Sequence, residues 1–183
     1  MMSQAEGTTQ TNEMEITFDS RSENEGFARV AVAAFLTQLD PLLEEISDVK
    51  TAVSEAVTNA VIHGYGGGEG KIRLSCRLEK EGRKVYIEVE DKGVGIEDVE
   101  KAREPMFTTR PELDRSGMGF AFMEAFMNEV EVESAPGKGT CVRMYKRFEE
   151  GSETSFEHTL MSKIHTLQCD TDNKEGTWTT QSL

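Results

Sequence analysis

Residues 54–64 read Ser54-Glu55-Ala56-Val57-Thr58-Asn59-Ala60-Val61-Ile62-His63-Gly64, a pattern typical of the end of a long helix that glycine closes. Glu55 and Asn59 are four positions apart, so a helix places their side chains on a single face. That face borders an apolar stripe of the same helix, at the rim of the core. The stripe consists of Ile46, Val49, Val53, Ala56, Val57 and Ala60. Taken alone, the pair favours an ordinary polar helix edge; the alternative is a site for Mg²⁺ and phosphoryl transfer, which need oxygen ligands and a base.

The composition limits the classes of protein to which the chain can belong. Its 183 residues suffice for one compact domain, and the hydrophobic fraction of 37% suggests polar terminal segments. The net charge of −14 argues against non-specific nucleic-acid binding and would suit a basic protein partner. Three cysteines without metal-binding spacing are typical of reduced thiols in the cytoplasm. No apolar run predicts a signal peptide or a membrane span.

Both ends of the chain are poor in residues that could enter a core. Residues 1–13 consist mainly of Ser, Thr, Gln, Gly and Glu, which predicts a flexible leader. Residues 149–183 are rich in Ser, Thr and Glu without a sustained period, which predicts a disordered tail. The folded domain is therefore expected to span residues 14–148.

Three helices are predicted within this domain. Ser22 followed by Glu25 is the pattern of a capping box, which opens a helix over about 22–39. Asp40 as N-cap and Pro41 at the first helical position predict the second helix, over 41–64, and the third is expected over 117–128. The apolar side of the first helix is predicted to consist of Phe27, Val30, Ala31, Ala34 and Phe35, with Arg29 on a different face.

Alternating apolar and polar residues predict five strands. They are expected at about 14–18, 71–79, 84–91, 129–135 and 139–148. Together with the helices they predict an α+β fold, a two-layer α/β sandwich in which helices cover one face of a mixed, mainly antiparallel sheet. Cys76 and Cys141 alternate with polar neighbours and are expected to face the core.

Alternation along the strand 84–91 places Asp91 on the core-facing side of its end. A buried carboxylate is unfavourable unless a group donates a hydrogen bond to it. Two interpretations remain open: turn chemistry, because Asp-x-Gly often begins a loop, or a carboxylate that accepts from the exocyclic amine of a ligand. Gly93 and Gly95 would let the backbone approach a flat or bulky group.

Residues 97–116 have poor periodicity and predict a mobile lid over a site. Gly117 and Gly119 then precede a helix, whose N-terminus offers backbone N–H groups and a positive dipole end to an anion. The lid contains the polar and basic residues Thr108, Thr109, Arg115 and Ser116.

The order of these features resembles the GHKL family of ATP-binding proteins (gyrase, Hsp90, histidine kinase, MutL). In that family an E-x-x-x-N helix box, a D-x-G-x-G box and a G-x-G lid box line one nucleotide site. Further segments are similar to the anti-sigma F factors of endospore-forming bacteria, and this resemblance extends from about Asn12 to Phe148. These segments are Arg21-Ser22-Glu23-Asn24-Glu25, Val53-Ser54-Glu55-Ala56-Val57-Thr58-Asn59-Ala60, His63-Gly64-Tyr65 and Pro105-Met106-Phe107-Thr108-Thr109-Arg110-Pro111-Glu112-Leu113.

The resemblance implies a role for each matching residue. Glu55 corresponds to the general base, Asn59 to the Mg²⁺ ligand and Asp91 to the carboxylate that binds adenine. Arg29 corresponds to the position by which the family docks its protein partners. The remaining matches surround the nucleotide or approach its phosphates: Gly93, Gly95, Thr108, Thr109, Arg115, Ser116, Gly117 and Gly119.

The implied function is that of a homodimeric, cytoplasmic anti-sigma factor. With ATP and Mg²⁺ bound, such a protein keeps sigma F from RNA polymerase, and it is also a serine kinase that inactivates its anti-anti-sigma antagonist. One alternative is a nucleotide-gated inhibitor of another sigma factor, such as a general stress one, without transfer to the same antagonist. A second is the catalytic domain of a sensor histidine kinase. The absence of a predicted membrane span and of a histidine-bearing dimerisation helix argues against it. His63, a lone histidine at a helix end, is expected to be structural.

Overall fold

The computed structural model describes residues 10–104, 106–107 and 117–149. Within these residues, five strands form a single sheet in the order β1-β2-β3-β5-β4. Their bounds are β1 Thr11–Asp19, β2 Lys71–Glu79, β3 Lys84–Asp91, β4 Glu129–Ala135 and β5 Gly139–Arg147. β1 begins before residue 14, so Thr11, Asn12 and Glu13 belong to the sheet and not to a leader. Residues 1–9 and 150–183, predicted as leader and tail, lie outside the described residues.

Every pair of neighbouring strands in the described sheet is antiparallel. β3 and β4 run in the same direction, because both are antiparallel to β5, but β5 lies between them and no parallel pair forms. The α+β prediction is thus confirmed, whereas the expectation of a mixed sheet is wrong.

Four α-helices accompany the sheet in the described part of the chain. They are α1 Glu23–Leu36, α2 Leu43–Asn59, α3 Val99–Arg103 and α4 Gly119–Phe126. A 3₁₀ turn, Thr37–Leu39, follows α1, and a π-helical turn, Ala60–Gly64, follows α2. α3 lies in the segment predicted to be irregular, and it begins where the Asp98 carboxylate accepts from the N–H of Lys101 at 3.0 Å. None of these helices combines the length and the apolar character that a membrane crossing needs.

The helices and one face of the sheet enclose the core. α2 packs against both α1 and α4. The largest fully buried side chains come from both layers: Val32, Leu36, Val49, Val53, Val57, Ile72, Leu74, Leu78, Ile87, Met123, Met144 and Phe148. Cys76 is buried in this core, as predicted, but Cys141 lies on the opposite face of the sheet, because its neighbours Val142 and Met144 are the core-facing residues of β5.

The start of α1 differs from the predicted capping box. Ser22 occupies the N-cap position, but its side chain makes no capping hydrogen bond. The Glu25 carboxylate instead accepts from the Ser54 hydroxyl of α2 and forms an ion pair with Arg29. Contact with a second helix has therefore replaced the local cap.

The buried side of α1 also differs from the prediction. Ala28, Val32 and Leu36 face the core, whereas Phe27 and Val30 are 55% and 61% exposed. The predicted apolar stripe of α1 is therefore partly an outer surface.

The second helix starts later than predicted. Asp40 has φ +49° and closes the 3₁₀ turn, its N–H donating to the carbonyl of Thr37. α2 begins at Leu43, and the Glu45 carboxylate accepts from the N–H of Leu42 at 2.8 Å. The N-terminal hydrogen bond of α2 is therefore supplied from inside the helix by Glu45, and the prediction of Asp40 as its N-cap is wrong.

Candidate active site

A cavity of about 880 Å³ opens beside the C-terminal end of α2. Its walls come from α2 and the π turn, the ends of β3 and β5, α3 and the first turn of α4. The predicted site residues that line it are Asn59, Asp91, Gly95, Gly117 and Gly119. Asn59 and Gly119, which are 60 positions apart in the sequence, thus line the same cavity.

The first residue of α4 lies against two side chains of α2. A β-carbon placed on Gly119 would be 3.1 Å from Oε2 of Glu55, 3.2 Å from Nδ2 of Asn59 and 3.3 Å from Oδ1 of Asn59. Glycine at this position therefore allows the close approach of a helix N-terminus to a carboxylate and a carboxamide. Glu55 does not itself line the cavity, so its carboxylate stands at the edge of the site beside Gly119.

Asp91 forms a second, buried part of the site. It is the last residue of β3 and is only 5% exposed. Burial raises the pKa of the Asp91 carboxyl, and hydrogen bonds from the backbone of Gly93 and Thr140 oppose this shift. The Gly93 N–H donates to Oδ1 at 2.8 Å. A carboxylate held in this way at a cavity wall can accept a hydrogen bond from a ligand amine.

Glycines bring the end of α2 into contact with the end of β3. A β-carbon on Gly64 would lie 2.8 Å from Oδ1 of Asp91, and one on Gly93 would lie 2.0 Å from the carbonyl oxygen of Gly64. The Val94 N–H donates to that same carbonyl at 2.9 Å. No side chain fits between these segments, so the π turn, a feature frequent at functional sites, packs directly on the carboxylate.

Two polar side chains that the sequence analysis left without a role hold the surrounding loops. The Tyr65 hydroxyl donates to the carbonyl of Lys71 at 2.6 Å and accepts from the N–H of Lys92 at 2.8 Å. The Ser134 hydroxyl accepts from the N–H of Ile96 at 2.8 Å and donates to a backbone carbonyl of the β4–β5 hairpin. A lone tyrosine in a glycine-rich loop is the signal that could have identified the first of them.

The remaining predicted residues have different outcomes. Gly117 has φ +56° and its carbonyl accepts from the N–H of Met106 at 2.9 Å. Arg29 lies on α1 and does not line the cavity. Four predicted lid residues lie outside the described part of the chain: Thr108, Thr109, Arg115 and Ser116.

The described residues contain no group of three or more His, Cys, Asp or Glu side chains that could hold a metal ion. A Mg²⁺ ion bound together with a nucleotide takes only one or two protein ligands and completes its shell with phosphates and water. The side-chain oxygen of Asn59, which lies close to Gly119 beside the cavity, fits such a requirement.

Comparison with known proteins agrees with this geometry. Residues 18–146 match the family model of the histidine kinase-like ATPase domain. The chain is 60% identical over 136 residues to an anti-sigma F factor of Thermoanaerobacter sp. (strain X514), which covers 74% of this chain and 94% of that protein. It is 57% identical over 137 residues to an anti-sigma F factor of Clostridium acetobutylicum, with 75% and 94% covered.

Among solved structures, the RsbU and RsbW domains of Rv1364c from Mycobacterium tuberculosis superpose with a TM-score of 0.56 at 23% identity, over 76% of this chain and 33% of that chain. This likeness shows the fold alone. The family match spans the strands, α2 and α4 that build the cavity, and an ATPase domain binds a nucleotide. The chain therefore belongs to the histidine kinase-like ATPase family and, within it, to the family of the anti-sigma F factors.

Proposed function

We propose that this chain is a nucleotide-dependent anti-sigma factor that holds sigma F away from RNA polymerase and phosphorylates a serine on its anti-anti-sigma antagonist. The observation that carries the proposal is the approach of Gly119, at the N-terminus of α4, to both Glu55 and Asn59 beside the cavity that Asp91 closes. The identity to anti-sigma F factors supports the choice of partner.

The nucleotide base is assigned to the enclosed part of the cavity. Asp91 accepts from the exocyclic amine of adenine, a contact that a buried carboxylate favours because it replaces hydrogen bonds lost to water. Gly95 lines the same cavity, and Gly93 allows the backbone of the π turn to pack against the end of β3, which holds the carboxylate in place.

The phosphates are assigned to the N-terminus of α4. The first N–H groups of an α-helix have no intrahelical acceptor, and they carry the positive end of the helix dipole. The described lining of the cavity contains one lysine, Lys101, and four carboxylates: Asp91, Glu97, Asp98 and Glu100. Because the phosphates are also negatively charged, their binding requires positive charge beyond that of this lysine. Mg²⁺, when bound, offsets charge on the β- and γ-phosphates, and Asn59 is the residue that would hold it.

Glu55 is assigned the role of general base. Its carboxylate takes the proton of the incoming serine hydroxyl while the serine Oγ forms a bond to the γ-phosphorus. The bond from that phosphorus to the β–γ bridging oxygen breaks, and ADP leaves. The position of Glu55 at the edge of the cavity suits a group that meets a second substrate arriving from outside.

The outward side of α1 is assigned to protein partners. Arg29 is 45% exposed on α1, which also carries the exposed apolar side chains of Phe27 and Val30 on another face. Phosphorylation adds a charge of about −2 to the antagonist, and repulsion from the acidic chain would release it. Following the family, the protein is expected to act as a homodimer in the cytoplasm.

The proposal is tested by mixing the protein with Mg-ATP and an anti-anti-sigma protein and measuring intact masses. One phosphate added to a serine of the antagonist is the expected result. Nucleotide binding without any added phosphate would refute the kinase assignment and leave a nucleotide-gated inhibitor. Pull-downs with sigma F and with a general stress sigma factor, each with ATP and with ADP, identify the sigma factor held; ATP-dependent retention of sigma F alone is expected.

A further inference from the structure

The Glu25 side chain connects α1 to α2 through a single carboxylate oxygen. Oε1 of Glu25 accepts a hydrogen bond from the Ser54 hydroxyl, and the same atom lies 3.3 Å from Nη1 of Arg29. The Glu25 side chain is 21% exposed, so solvent screens these contacts only in part. Arg29, Glu25 and Ser54 thus form a continuous polar path between the two helices.

The two ends of this path, Ser54 and Arg29, lie next to the proposed general base and at the proposed docking position, respectively. Ser54 immediately precedes Glu55 in α2, so a contact that holds Ser54 also orients the turn that carries the Glu55 carboxylate. Arg29 is 45% exposed on α1, so a partner can reach its guanidinium. Arg29 does not line the cavity, and the path through Glu25 is a direct contact from it to the helix of Glu55.

We propose that Glu25 is a positioning residue that couples the docking of a protein partner on α1 to the placement of Glu55. This inference rests on the proposed function, because it requires a partner at Arg29 and phosphoryl transfer at Glu55. In the free protein, Oε1 of Glu25 is shared between a guanidinium and a hydroxyl. An acidic group of the partner that pairs with Arg29 competes with Glu25 for the guanidinium, and the less neutralised Glu25 carboxylate then binds Ser54 more strongly. Docking of the protein substrate thus fixes the turn of α2 that carries Glu55.

Other roles for Glu25 predict different kinetics. If Glu25 only contacted the partner, its loss would raise KM for the antagonist, as loss of Arg29 should, and leave kcat unchanged. If Glu25 only stabilised the fold, its loss would lower the melting temperature without a selective change in kcat. A positioning role predicts a fall in kcat for the protein substrate with KM and nucleotide affinity preserved.

The test is steady-state phosphorylation of an anti-anti-sigma protein that the wild-type chain accepts as substrate, followed with γ-labelled ATP. Glu25→Ala and Ser54→Ala are each expected to lower kcat roughly tenfold, the effect of losing one hydrogen bond to a charged group, with KM within about twofold of wild type. Ser54→Thr keeps the hydroxyl and should restore most of kcat. The double variant should be no slower than either single variant, because both changes remove the same contact.

Matched controls come from the same two helices. Glu23→Gln removes an exposed carboxylate of α1, and Ser47→Ala removes an exposed hydroxyl of α2; neither should change kcat. Calorimetric titration with Mg-ATP checks that every variant is folded and binds nucleotide.

The outcomes separate the inference from the function on which it rests. Normal kcat in both Glu25→Ala and Ser54→Ala, with phosphate transfer by the wild type, would overturn the inference alone. A raised KM with unchanged kcat would also overturn it and make Glu25 a docking residue. Absence of transfer by the wild-type chain would refute the proposed kinase function, and the inference would fall with it.

Discussion

Replacing Gly119 with alanine should separate the stability of the protein from its ability to bind nucleotide. The backbone of Gly119 does not require a positive φ, so alanine fits the helical conformation and should stabilise the fold by about 0.4–1 kcal/mol through the unfolded chain. The new methyl group would lie 3.1 Å from Oε2 of Glu55 and 3.2 Å from Nδ2 of Asn59. Both contacts are with the ends of side chains, which can move a few tenths of an ångström. The free energy of unfolding without nucleotide is therefore expected to stay within about 1 kcal/mol of wild type.

The same methyl group should greatly weaken nucleotide binding. It occupies the space between the carboxylate, the carboxamide and the N-terminus of α4, where the phosphates are assigned. Loss of one hydrogen bond to a charged group costs about 1.5–3 kcal/mol, so Kd for Mg-ATP should rise roughly 10- to 100-fold. Isothermal titration with Mg-ATP gives Kd, and guanidinium unfolding without nucleotide gives the free energy of unfolding.

Gly26→Ala is the matched control for this experiment. Gly26 lies inside α1, and the nearest atom to a β-carbon there, Nη2 of Arg29, is 3.9 Å away. This variant should be stabilised to a similar extent and should bind Mg-ATP normally. A Gly119→Ala protein that binds Mg-ATP within twofold of wild type would refute the assignment of the phosphates to this helix terminus. A loss of stability above about 2 kcal/mol would contradict the inference that the neighbouring side chains can shift.

Further changes test the other parts of the site and of the fold. Asn59→Ala should abolish Mg-ATP binding, which calorimetry measures. Glu55→Ala should preserve this binding and stop phosphate transfer, which mass spectrometry measures. Normal transfer by both variants would disprove the site assignment. Burial raises the pKa of Asp91 above its ordinary value of 3.8, so its ionisation opposes folding increasingly as pH rises from 3.8 through the folded pKa. Asp91→Asn should therefore flatten the dependence of the free energy of unfolding on pH between 3.8 and the folded pKa. The same variant should weaken ATP binding roughly tenfold or more. An unchanged pH profile of stability would contradict the conclusion that the Asp91 carboxylate is buried. Lys146 is 12% exposed, and its Nζ lies 2.8 Å from Oδ2 of Asp48 and 2.6 Å from a carbonyl at the end of α4. Lys146→Met should therefore lower the free energy of unfolding by about 1–3 kcal/mol. A denaturation midpoint equal to that of wild type would show that the ion pair does not stabilise the fold.

The parts of the fold that depend on local pattern could be predicted from the sequence. The bounds of β2 and β3 agree with the prediction, since period-two alternation on both sides of the Glu81-Gly82 turn contains all the information that a hairpin needs. The same alternation placed Asp91 on the buried side, and the structure has it 5% exposed. Four-residue spacing likewise placed Glu55 and Asn59 on one face, and both lie close to Gly119.

Features that depend on contacts between distant segments could not be predicted in the same way. The local pattern of Ser22 and Glu25 indicated a capping box, but Ser54 of a second helix offered Glu25 a better partner than a backbone N–H. β5 lies between β3 and β4 because the chain crosses over the sheet before β4. The alternation of apolar and polar residues within each strand does not predict this strand order. Without that position, a mixed sheet and a fully antiparallel one are equally consistent with the sequence.

The exposed side chains of α1 show why an apolar pattern alone does not define a core. Phe27, Val30 and Ala34 recur at helical spacing and are all exposed, while Ala28 and Val32, one turn apart on the neighbouring face, are fully buried. The helix therefore has two adjacent apolar sides, and periodicity cannot tell which of them packs inside the chain. Exposed apolar surface favours association, so this side of α1 suits the partner surface proposed above. The error in predicting the buried side of α1 thus has the same physical origin as the partner surface proposed for it.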